Sequence, residues 1–217
     1  MKKEINAFDY AGLICASMKK GILLTTKADG KVNTMTIGWG TIGIEWGRPV
    51  FVAYVRVGRH TRKMLDESGE FTVNIPYGEV DSKILGFCGT KSGRDTDKIT
   101  ELGLDLVDSS VVSVPGIRQL PLTLECKILT QKIQNIPMLP DAIRNRYYPM
   151  GVESSNPGSN EDFHIAYYGE IVNAYMITDY ITGTVLRQPQ FSFFAPGNAD
   201  FSRKTTAKFP KINENNC

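Results

Sequence analysis

The stretch ILLTTKADGKVNTMTIGWGTIGI, residues 22–44, decides the fold class. Its first part, 22–27, is a short run of apolar and β-branched residues that is typical of a strand. Between the two parts, Asp29 and Gly30 supply the positive φ angles that a tight hairpin turn requires. The second part, 32–44, is therefore expected to fold back and pair with the first as an antiparallel hairpin.

The second part of this stretch is unusual for a strand because it contains Gly38, Gly40 and Gly43. Glycine weakens a strand and often marks a bulge or a close approach of the backbone to a ligand. Asn33 and Thr36 add polar groups to the same segment. An open backbone beside polar side chains would let a flat ring lie close to this strand.

Outward from the hairpin, apolar periodicity and turn residues predict more strands than helices. The expected strands are 22–27, 32–44, 50–56, 70–76, 120–133 and 163–177, and the expected helices are 9–19, 61–67, 80–88 and 96–102. Successive hairpins dominate over strand–helix–strand alternation, which favours an antiparallel barrel or sandwich with helices inserted between strands. The P-loop and GxSxG signatures of nucleotide hydrolases and α/β-hydrolases are absent from the sequence.

The stretch VRVGRHTRKML, residues 55–65, gathers cations where a strand is expected to give way to a helix. Thr61 is a candidate for the N-cap of that helix, because its hydroxyl can accept a hydrogen bond from a first-turn amide. Free amides and the helix dipole at such a position form an anion site. Arg56 at the strand end and Arg59 in the connecting loop could both point at that anion.

Arg62 and Lys63 lie on the predicted helix itself and are expected to face water. A second interpretation is that the whole cluster only caps the helix and solvates a turn, because charge runs usually form solvated faces. The residues of this stretch alone leave both interpretations open.

The charge balance of the chain bears on what such a cluster would bind. The chain has 217 residues with 25 Lys and Arg against 23 Asp and Glu, a net charge of +2. This balance argues against a nucleic acid held through its phosphate backbone. A local basic cluster in a balanced chain of one-domain size therefore favours a small anion.

The sequence gives little sign of a metal site or of a membrane segment. No run approaches the roughly 18 apolar residues of a membrane-spanning helix, and the N-terminal stretch lacks a secretory core. The four cysteines, Cys15, Cys88, Cys126 and Cys217, are scattered without the spacing of metal ligands. We therefore expect free thiols in a cytoplasmic protein, with no bound metal and no membrane partner.

Four stretches, taken in order, resemble the flavin reductase-like family, the flavoredoxin-type proteins with an FMN-binding split barrel. They are LLTTKADGKVNTMTIGWGTIG, RPVFVAYVRVGRHTRKMLDESGEFTVNIP, GFCGTKSGRDTDKITELGL and HIAYYGEIVNAY, and they cover most of residues 20–178. The resemblance implies a mainly β fold, a six-stranded antiparallel split β-barrel with short inserted helices. It also implies a homodimer with FMN bound near the dimer interface.

The barrel domain is expected to occupy residues 1–180. Residues 181–217 contain aromatic side chains but no sustained periodicity, so we expect an extended C-terminal arm and not an independent domain. The loop 135–162 and this arm depart from the family pattern and would shape access to the cofactor. The family's substrate therefore cannot be carried over to this chain.

The resemblance further implies which residues bind the cofactor. Asn33, Met35, Thr36, Ile37, Gly38 and Trp39 match the strand that lies along the flavin ring in relatives; Arg56, Arg59, His60 and Thr61 match the segment that helps hold the phosphate; Ser92 and Lys98, together with Arg94, match a second loop beside the flavin. For that second loop, simple capping of a short helix by Asp95, Asp97 and Lys98 explains the residues equally well. His164 opens the last strand and could border the substrate side of the ring, although a lone histidine is more often structural.

The implied activity is hydride transfer from NADH or NADPH onto bound FMN, with electrons passed to a flavin, ferric iron, another small molecule or a redox protein. Such chemistry resides in the cofactor, so it needs no Ser/His/Asp arrangement. One alternative is a non-catalytic protein that holds flavin, or haem with His60 or His164 as the axial ligand. Another is an oxidase of the pyridoxamine-phosphate type, which would need a second phosphate pocket where the sequence offers one convincing basic cluster.

Overall fold

In the computed structural model, which describes residues 1–152 and 159–178, strands outnumber helices. The strands are β1 Lys2–Glu4, β2 Ile22–Ala28, β3 Lys31–Ile37, β4 Gly40–Glu45, β5 Arg48–Arg56, β6 Glu70–Ile75, β7 Leu106–Val107, β8 Gly116–Ile117, β9 Leu122–Ile133 and β10 His164–Ile177. The α-helices are α1 Ala11–Met18, α2 His60–Ser68, α3 Ser82–Thr90, α4 Lys98–Glu101 and α5 Asp141–Tyr147. Short 3-10 turns lie at Ala7–Tyr10 and Ile136–Met138.

The hairpin predicted at the start of the chain is present. β2 and β3 pair antiparallel, with Leu24 opposite Met35. Asp29 and Gly30 at the turn have φ angles of 49° and 73°. Because both central residues lie in the left-handed region, the turn matches the right-handed twist of the strands that it joins.

The predicted strand 32–44 is divided into two. β3 ends at Ile37, and β4 begins at Gly40 and pairs forward with β5, so that Thr41 lies opposite Val52. The expectation that the whole segment pairs back on β2 is therefore wrong beyond Ile37. Glycine at position 40 permits the close approach to β5, since a Cβ there would lie 2.8 Å from the ring of Phe51 and 3.0 Å from the carbonyl oxygen of Val52.

Eight strands form one antiparallel sheet with the order β3-β2-β6-β9-β10-β5-β4, and β1 pairs with β10 beside this path. β3 and β4 are the two ends of the path, yet only Gly38 and Trp39 separate them in sequence. Since three peptide steps span at most about 11 Å, the sheet must curl until its edges meet. The fold is thus the expected mainly β split barrel, in which one of the six predicted strands is divided and β1 is added.

The barrel interior is filled by alternate residues of the paired strands. Phe51 and Val55 of β5, Phe71 of β6 and Tyr167 of β10 are all at most 1% exposed and belong to one apolar core. Gly169 leaves room for the ring of Phe71, which would collide with any Cβ at that position. The core therefore fixes the relative positions of the strands whose ends carry the site.

Helix α2 begins one residue earlier than predicted. Arg59 is the N-cap and makes no side-chain capping bond, so the expectation that Thr61 caps the helix is wrong. Thr61 is the second helical residue, and its hydroxyl accepts a 2.8 Å hydrogen bond from Asn33 Nδ2. Gly69, with a φ of 66°, ends the helix in the left-handed conformation that favours glycine.

The two cations on the outer turns of α2 form pairs along the helix. Lys63 lies 3.8 Å from Glu67 and its side chain is 72% exposed, so it faces water as expected. The NH1 atom of Arg62 lies 3.1 Å from Oδ2 of Asp66. Neither residue is among the described residues that line the cavity described below.

The expected boundary at residue 180 and the expected C-terminal arm lie outside the described residues. Over the described ranges, none of the helices has the length and apolar character needed to cross a bilayer. Likewise, no group of three or more His, Cys, Asp or Glu side chains within the part that the structure describes could hold a metal ion.

Candidate cofactor site

A cavity of about 300 Å³ lies where β3, the start of α2, the end of α3 and the loop before α4 meet. Each of these elements contributes side chains to its wall. The lining residues are Met35, Thr36, Gly58, Arg59, His60, Thr61, Cys88, Gly89, Lys91, Ser92, Gly93, Arg94, Lys98 and Asp162. The sheet and α2 thus bring together segments that lie far apart in sequence, from Met35 to Asp162.

Four cationic side chains line this cavity: Arg59, Lys91, Arg94 and Lys98. Lys98 is the most buried of them, with 4% of its surface exposed. Its Nζ donates to the carbonyl oxygens of Cys88 at 3.4 Å and Lys91 at 3.2 Å. Burial, with a further contribution from nearby Arg59, lowers the pKa of Lys98. A buried ammonium that meets only carbonyl dipoles favours an anion beside it.

Hydroxyl groups complete the polar wall. Thr61 accepts from Asn33, so its own proton is free to point into the cavity. Ser92 Oγ accepts from the amide of Arg94 at 3.2 Å. Gly93 packs directly on this wall, because a Cβ at that position would overlap the amide of Asn33. The loop 91–98 can therefore approach β3 only with glycine at this point.

Two titratable side chains on the wall are held in their neutral forms. Burial and the positive charges of Arg94 and Lys63 lower the pKa of His60. Burial raises the pKa of Cys88 to about 11, so its thiol stays protonated at neutral pH. Asp162 is the acidic side chain among the described lining residues, and its Oδ1 accepts a 2.9 Å hydrogen bond from the amide of Gly58.

Arg56, expected to bind the anion, is placed elsewhere. Its guanidinium donates to the carbonyl oxygen of Asp162 at 2.7 Å and to that of Tyr147 at 3.3 Å. Arg56 is not among the described residues that line the cavity. Ile37, another expected ligand, is 4% exposed and lies in the apolar core.

Trp39 and Gly38 line a second cavity of about 380 Å³, together with Cys15, Tyr54 and Gln134. The indole of Trp39 is 38% exposed. This cavity lies at the point where the chain crosses from one edge of the sheet to the other.

His164 stands behind Trp39 and is itself buried, with 6% of its surface exposed. Its ring lies 4.5 Å from the indole, and its Nδ1 lies 2.6 Å from the hydroxyl of Tyr148. Burial, reinforced by the charge of Arg56, lowers the pKa of His164 to about 4. These contacts support a structural role as a neutral imidazole that backs Trp39.

The structure therefore divides the predicted site residues into groups. Met35, Thr36, Arg59, His60, Thr61, Ser92 and Lys98 line the cation cavity; Asn33 contacts Thr61; Gly38 and Trp39 line the second cavity; Ile37, Arg56 and His164 lie outside both. Lys91 and Asp162 were missed. Lys91 directly precedes Ser92 in a motif already singled out, whereas Asp162 lies in a loop with no recognisable pattern.

Comparison with known proteins agrees with this geometry. The model of the flavin reductase like domain family matches residues 17–186. An uncharacterized protein from Archaeoglobus fulgidus is 32% identical over 101 residues, which are 46% of this chain and 56% of that protein. An uncharacterized protein from Pyrococcus abyssi is 26% identical over 102 residues, 47% of this chain and 57% of that protein. The matched region thus spans somewhat more than half the length of these curated relatives.

Solved structures share the fold at low sequence identity. The FMN-binding domain of a flavin reductase-like enzyme from Shewanella baltica OS155 aligns with a TM-score of 0.57 at 15% identity, covering 84% of this chain and 81% of that one. Flavoredoxin from Methanosarcina acetivorans aligns with a TM-score of 0.55 at 23% identity, covering 74% and 70%. The family match extends over most of the chain and agrees with the resemblance of the four motifs. The chain belongs to the flavin reductase-like domain family.

Proposed function

We propose that the cation cavity holds the phosphate of FMN and that the protein is an FMN-dependent oxidoreductase. The expected donor is NADH or NADPH, and the expected acceptor is a flavin, ferric iron or another small molecule. The observation that carries the proposal is Lys98, a buried ammonium whose described hydrogen bonds go only to carbonyl oxygens. Three further cations around it make the cavity fit a dianion.

The donor set of the cavity suits a phosphate monoester. Such a group carries a charge of about −1.5 to −2 at neutral pH and three strong acceptor oxygens. Arg59 and Arg94 offer forked N–H donors, and Thr61 and Ser92 offer hydroxyl protons. The N-terminus of α2 opens on the same cavity and adds its dipole. Charge, donor number and size therefore agree.

The wider surface beyond β3 suits the flavin ring. In this proposal the ring lies along the backbone from Thr36 to Trp39, where the strand ends and the glycines leave the main chain open. When bound, FMN supplies the hydride-accepting chemistry, and the chain supplies orientation and electrostatics. Main-chain amides along this segment would stabilise negative charge on the ring, and buried Met35 excludes water from its inner side.

The named relatives support the assignment without fixing its details. Structures that share the fold are described as FMN-binding or as flavoredoxin, and one is an NADH:FAD oxidoreductase from Streptomyces globisporus. We further propose a homodimer in the cytoplasm. With a chain mass of 24.1 kDa, the dimer would have a mass of about 48 kDa (2 × 24.1) by sedimentation.

The phosphate site is tested by removing one charge from the cavity wall. Arg59→Gln is expected to weaken FMN binding by about 10- to 100-fold, since a hydrogen bond to a charged group contributes roughly 1.5–3 kcal/mol. Lys63→Gln removes the same charge from the outer face of the same helix, where an exposed pair contributes little, so affinity should stay within about twofold. FMN fluorescence titration measures both. Equal affinities for the two variants and the wild type would contradict the proposed phosphate site.

Turnover separates an oxidoreductase from a flavin carrier. The FMN-loaded protein is expected to lose its 450 nm absorbance under argon when NADH or NADPH is added, and to recover it when an acceptor is supplied. Retention of the oxidised spectrum with both nucleotides would support the non-catalytic alternative. Oxygen consumption with pyridoxamine phosphate would favour the oxidase alternative instead.

A further inference from the structure

The segment between β9 and β10 contains the loop 135–162, which was expected to depart from the family pattern. It leaves the sheet after Ile133 and returns at His164, whose carbonyl accepts from the amide of Gln134 at 3.1 Å. Its described part contains α5 and the residues that precede β10. We call the described residues 134–152 and 159–163 the insertion. Arg56 contacts it at two places, Tyr147 and Asp162.

Arg56 is the last residue of β5 and lies opposite His164 in the sheet register. Its NH1 donates to the carbonyl oxygen of Asp162, and its NH2 donates to that of Tyr147, so one guanidinium joins the end of α5 to the residues just before β10. NH1 also lies 3.7 Å from the carboxylate of Asp162. The guanidinium stands over the ring of Tyr148, 5.4 Å from its centre. With 17% of its side chain exposed, Arg56 makes these contacts away from bulk water.

The contacts of Arg56 extend through Asp162 to the cation cavity. Asp162, held by Arg56, uses its Oδ1 to accept from the amide of Gly58 at 2.9 Å. Gly58 lines the cavity immediately before Arg59, the N-cap of α2. A Cβ at Gly58 would lie 3.0 Å from the same oxygen, so the loop and the insertion are in close contact.

The contacts of Arg56 extend through Tyr147 to Trp39. The ring of Tyr147 meets the indole edge-on, with centres 5.0 Å apart, and His164 packs on the indole at 4.5 Å. Tyr148 joins this group through the hydroxyl that contacts His164 Nδ1. The half-exposed indole is therefore supported from behind by Tyr147, whose carbonyl Arg56 holds, and by His164, which pairs with Arg56 in the sheet.

We propose that Arg56 is a positioning residue that fastens the insertion to the barrel and thereby sets the orientation of Trp39 on the acceptor side of the flavin. Its effect on turnover rests on the proposed function, whereas its effect on Trp39 does not. Arg56 acts through the Tyr147 carbonyl and the aromatic group, and it contributes no donor to the phosphate cavity. A lysine could keep one charge near Asp162 but could not reach two carbonyls in forked geometry.

The test uses Arg56→Met and Arg56→Lys in a Trp46→Phe background, in which Trp39 is the one remaining tryptophan. Both variants are expected to raise acrylamide quenching of Trp39 at least twofold and to shift its emission to the red. FMN affinity should stay within about threefold of the wild type, because the hydrogen bond from Gly58 to Asp162 at the cavity does not include Arg56. The KM for the acceptor should rise about 5- to 20-fold with a smaller change in kcat, because the site wall has moved while the cofactor has not.

Tyr147→Leu provides the second variant, because it removes the ring from Trp39 and leaves the carbonyl that Arg56 holds. It should reproduce the change in quenching, and far-UV circular dichroism should show that all variants are folded. Wild-type quenching in Arg56→Met would overturn the proposal. So would a loss of FMN affinity as large as that of Arg59→Gln, which would make Arg56 an anion ligand. If the wild type binds no FMN, the proposed function fails, but the quenching result still decides the role of Arg56.

Discussion

Two buried bases, Lys98 and His164, show how burial leads to different chemistry at single residues. Burial lowers the pKa of each of them. His164 can lose its proton and remain a neutral ring between Trp39 and Tyr148. Lys98 faces carbonyl oxygens and a cavity lined by three more cations. The first residue is satisfied by its neighbours, whereas the second is the buried cation on which the proposed anion site rests.

The pKa of His164 leads to a pH-dependent stability. With a pKa of about 4 in the folded protein and 6.5 in the unfolded chain, the unfolded state binds more protons between these values. Stability is therefore fully present above pH 6.5 and is lost as the pH falls towards 4. At about 1.4 kcal/mol per pKa unit, the loss attributable to His164 should reach about 2 kcal/mol by pH 5.

Urea unfolding at pH 7.5 and pH 5 measures this effect in the wild type and in His164→Gln. Glutamine can keep a donor near the Tyr148 hydroxyl but does not titrate, so the variant should lose about 2 kcal/mol less over the same interval. His60 titrates in both proteins and cancels in the difference. An identical pH dependence of the two proteins would show that His164 is not held neutral by the fold.

At the scale of elements, the sequence predicted those whose signals are local. Asp29-Gly30 fixes the β2–β3 hairpin through its own φ preferences, and that turn is present. Alternating apolar residues likewise located β6, and a long strand-like run located β10. The division of 32–44 was not predictable in this way, because the pairing ends at Ile37, opposite the first residue of β2, and the chain from Gly40 pairs with β5 instead. Long-range packing overrode a continuous strand pattern.

The prediction of the site residues was limited in the same way, by contacts that are distant in sequence. Arg59, Thr61 and Lys98 were predicted and do line one cavity, because the motif and the start of α2 place them there. The prediction that Thr61 is the N-cap was wrong. Its hydroxyl accepts instead from Asn33, which lies 28 residues away, and a local motif does not show such a partner. Arg56 was expected to bind an anion, but its guanidinium contacts the insertion instead. Nothing in the sequence shows that the insertion returns beside β5. Charge can be read from sequence, but the partner of a charge depends on topology.

The loop before β8 is an element held by a carboxylate. Glu125 of β9 is fully buried and accepts from the amides of Ser110 at 2.9 Å, Val111 at 2.7 Å and Val112 at 3.2 Å. It also accepts from Asn173 Nδ2 at 2.8 Å. One side chain thus satisfies four donors and fixes an irregular segment on the sheet.

Glu125→Gln should destabilise the protein by about 2–4 kcal/mol, because the amide replaces an acceptor by a donor and leaves two buried N–H groups without partners. Glu67→Gln, at an exposed pair on α2, is the matched control and should change stability by less than about 0.5 kcal/mol. Urea unfolding gives the global effect, and hydrogen exchange at Ser110 to Val112 shows whether the loop opens alone. Protection and stability equal to the wild type would contradict this role.

At the scale of the whole molecule, the curled sheet explains why cofactor binding and global stability should be linked. The cation cavity is formed by β3, the loop before α2 and the segment that follows α3, so a ligand there joins elements from distant parts of the sheet. The unfolded chain retains none of this arrangement. Any ligand of the cavity therefore stabilises the entire barrel by mass action.

FMN at 100 times its Kd should accordingly raise the stability by about 2.7 kcal/mol, or the Tm by roughly 5–10 °C for a domain of this size. In Lys98→Met the same FMN concentration should give about half that shift, because losing the buried charge weakens binding at least about tenfold. Without FMN, Lys98→Met should melt close to the wild type, since a buried unpaired charge costs about as much as its two carbonyl contacts return. Lys63→Met, which changes an exposed lysine, should keep the full shift.

Differential scanning fluorimetry with and without FMN measures all three proteins. A low melting temperature for Lys98→Met with an undiminished FMN shift would make Lys98 a structural cap for the end of α3, and the anion would then have to bind elsewhere.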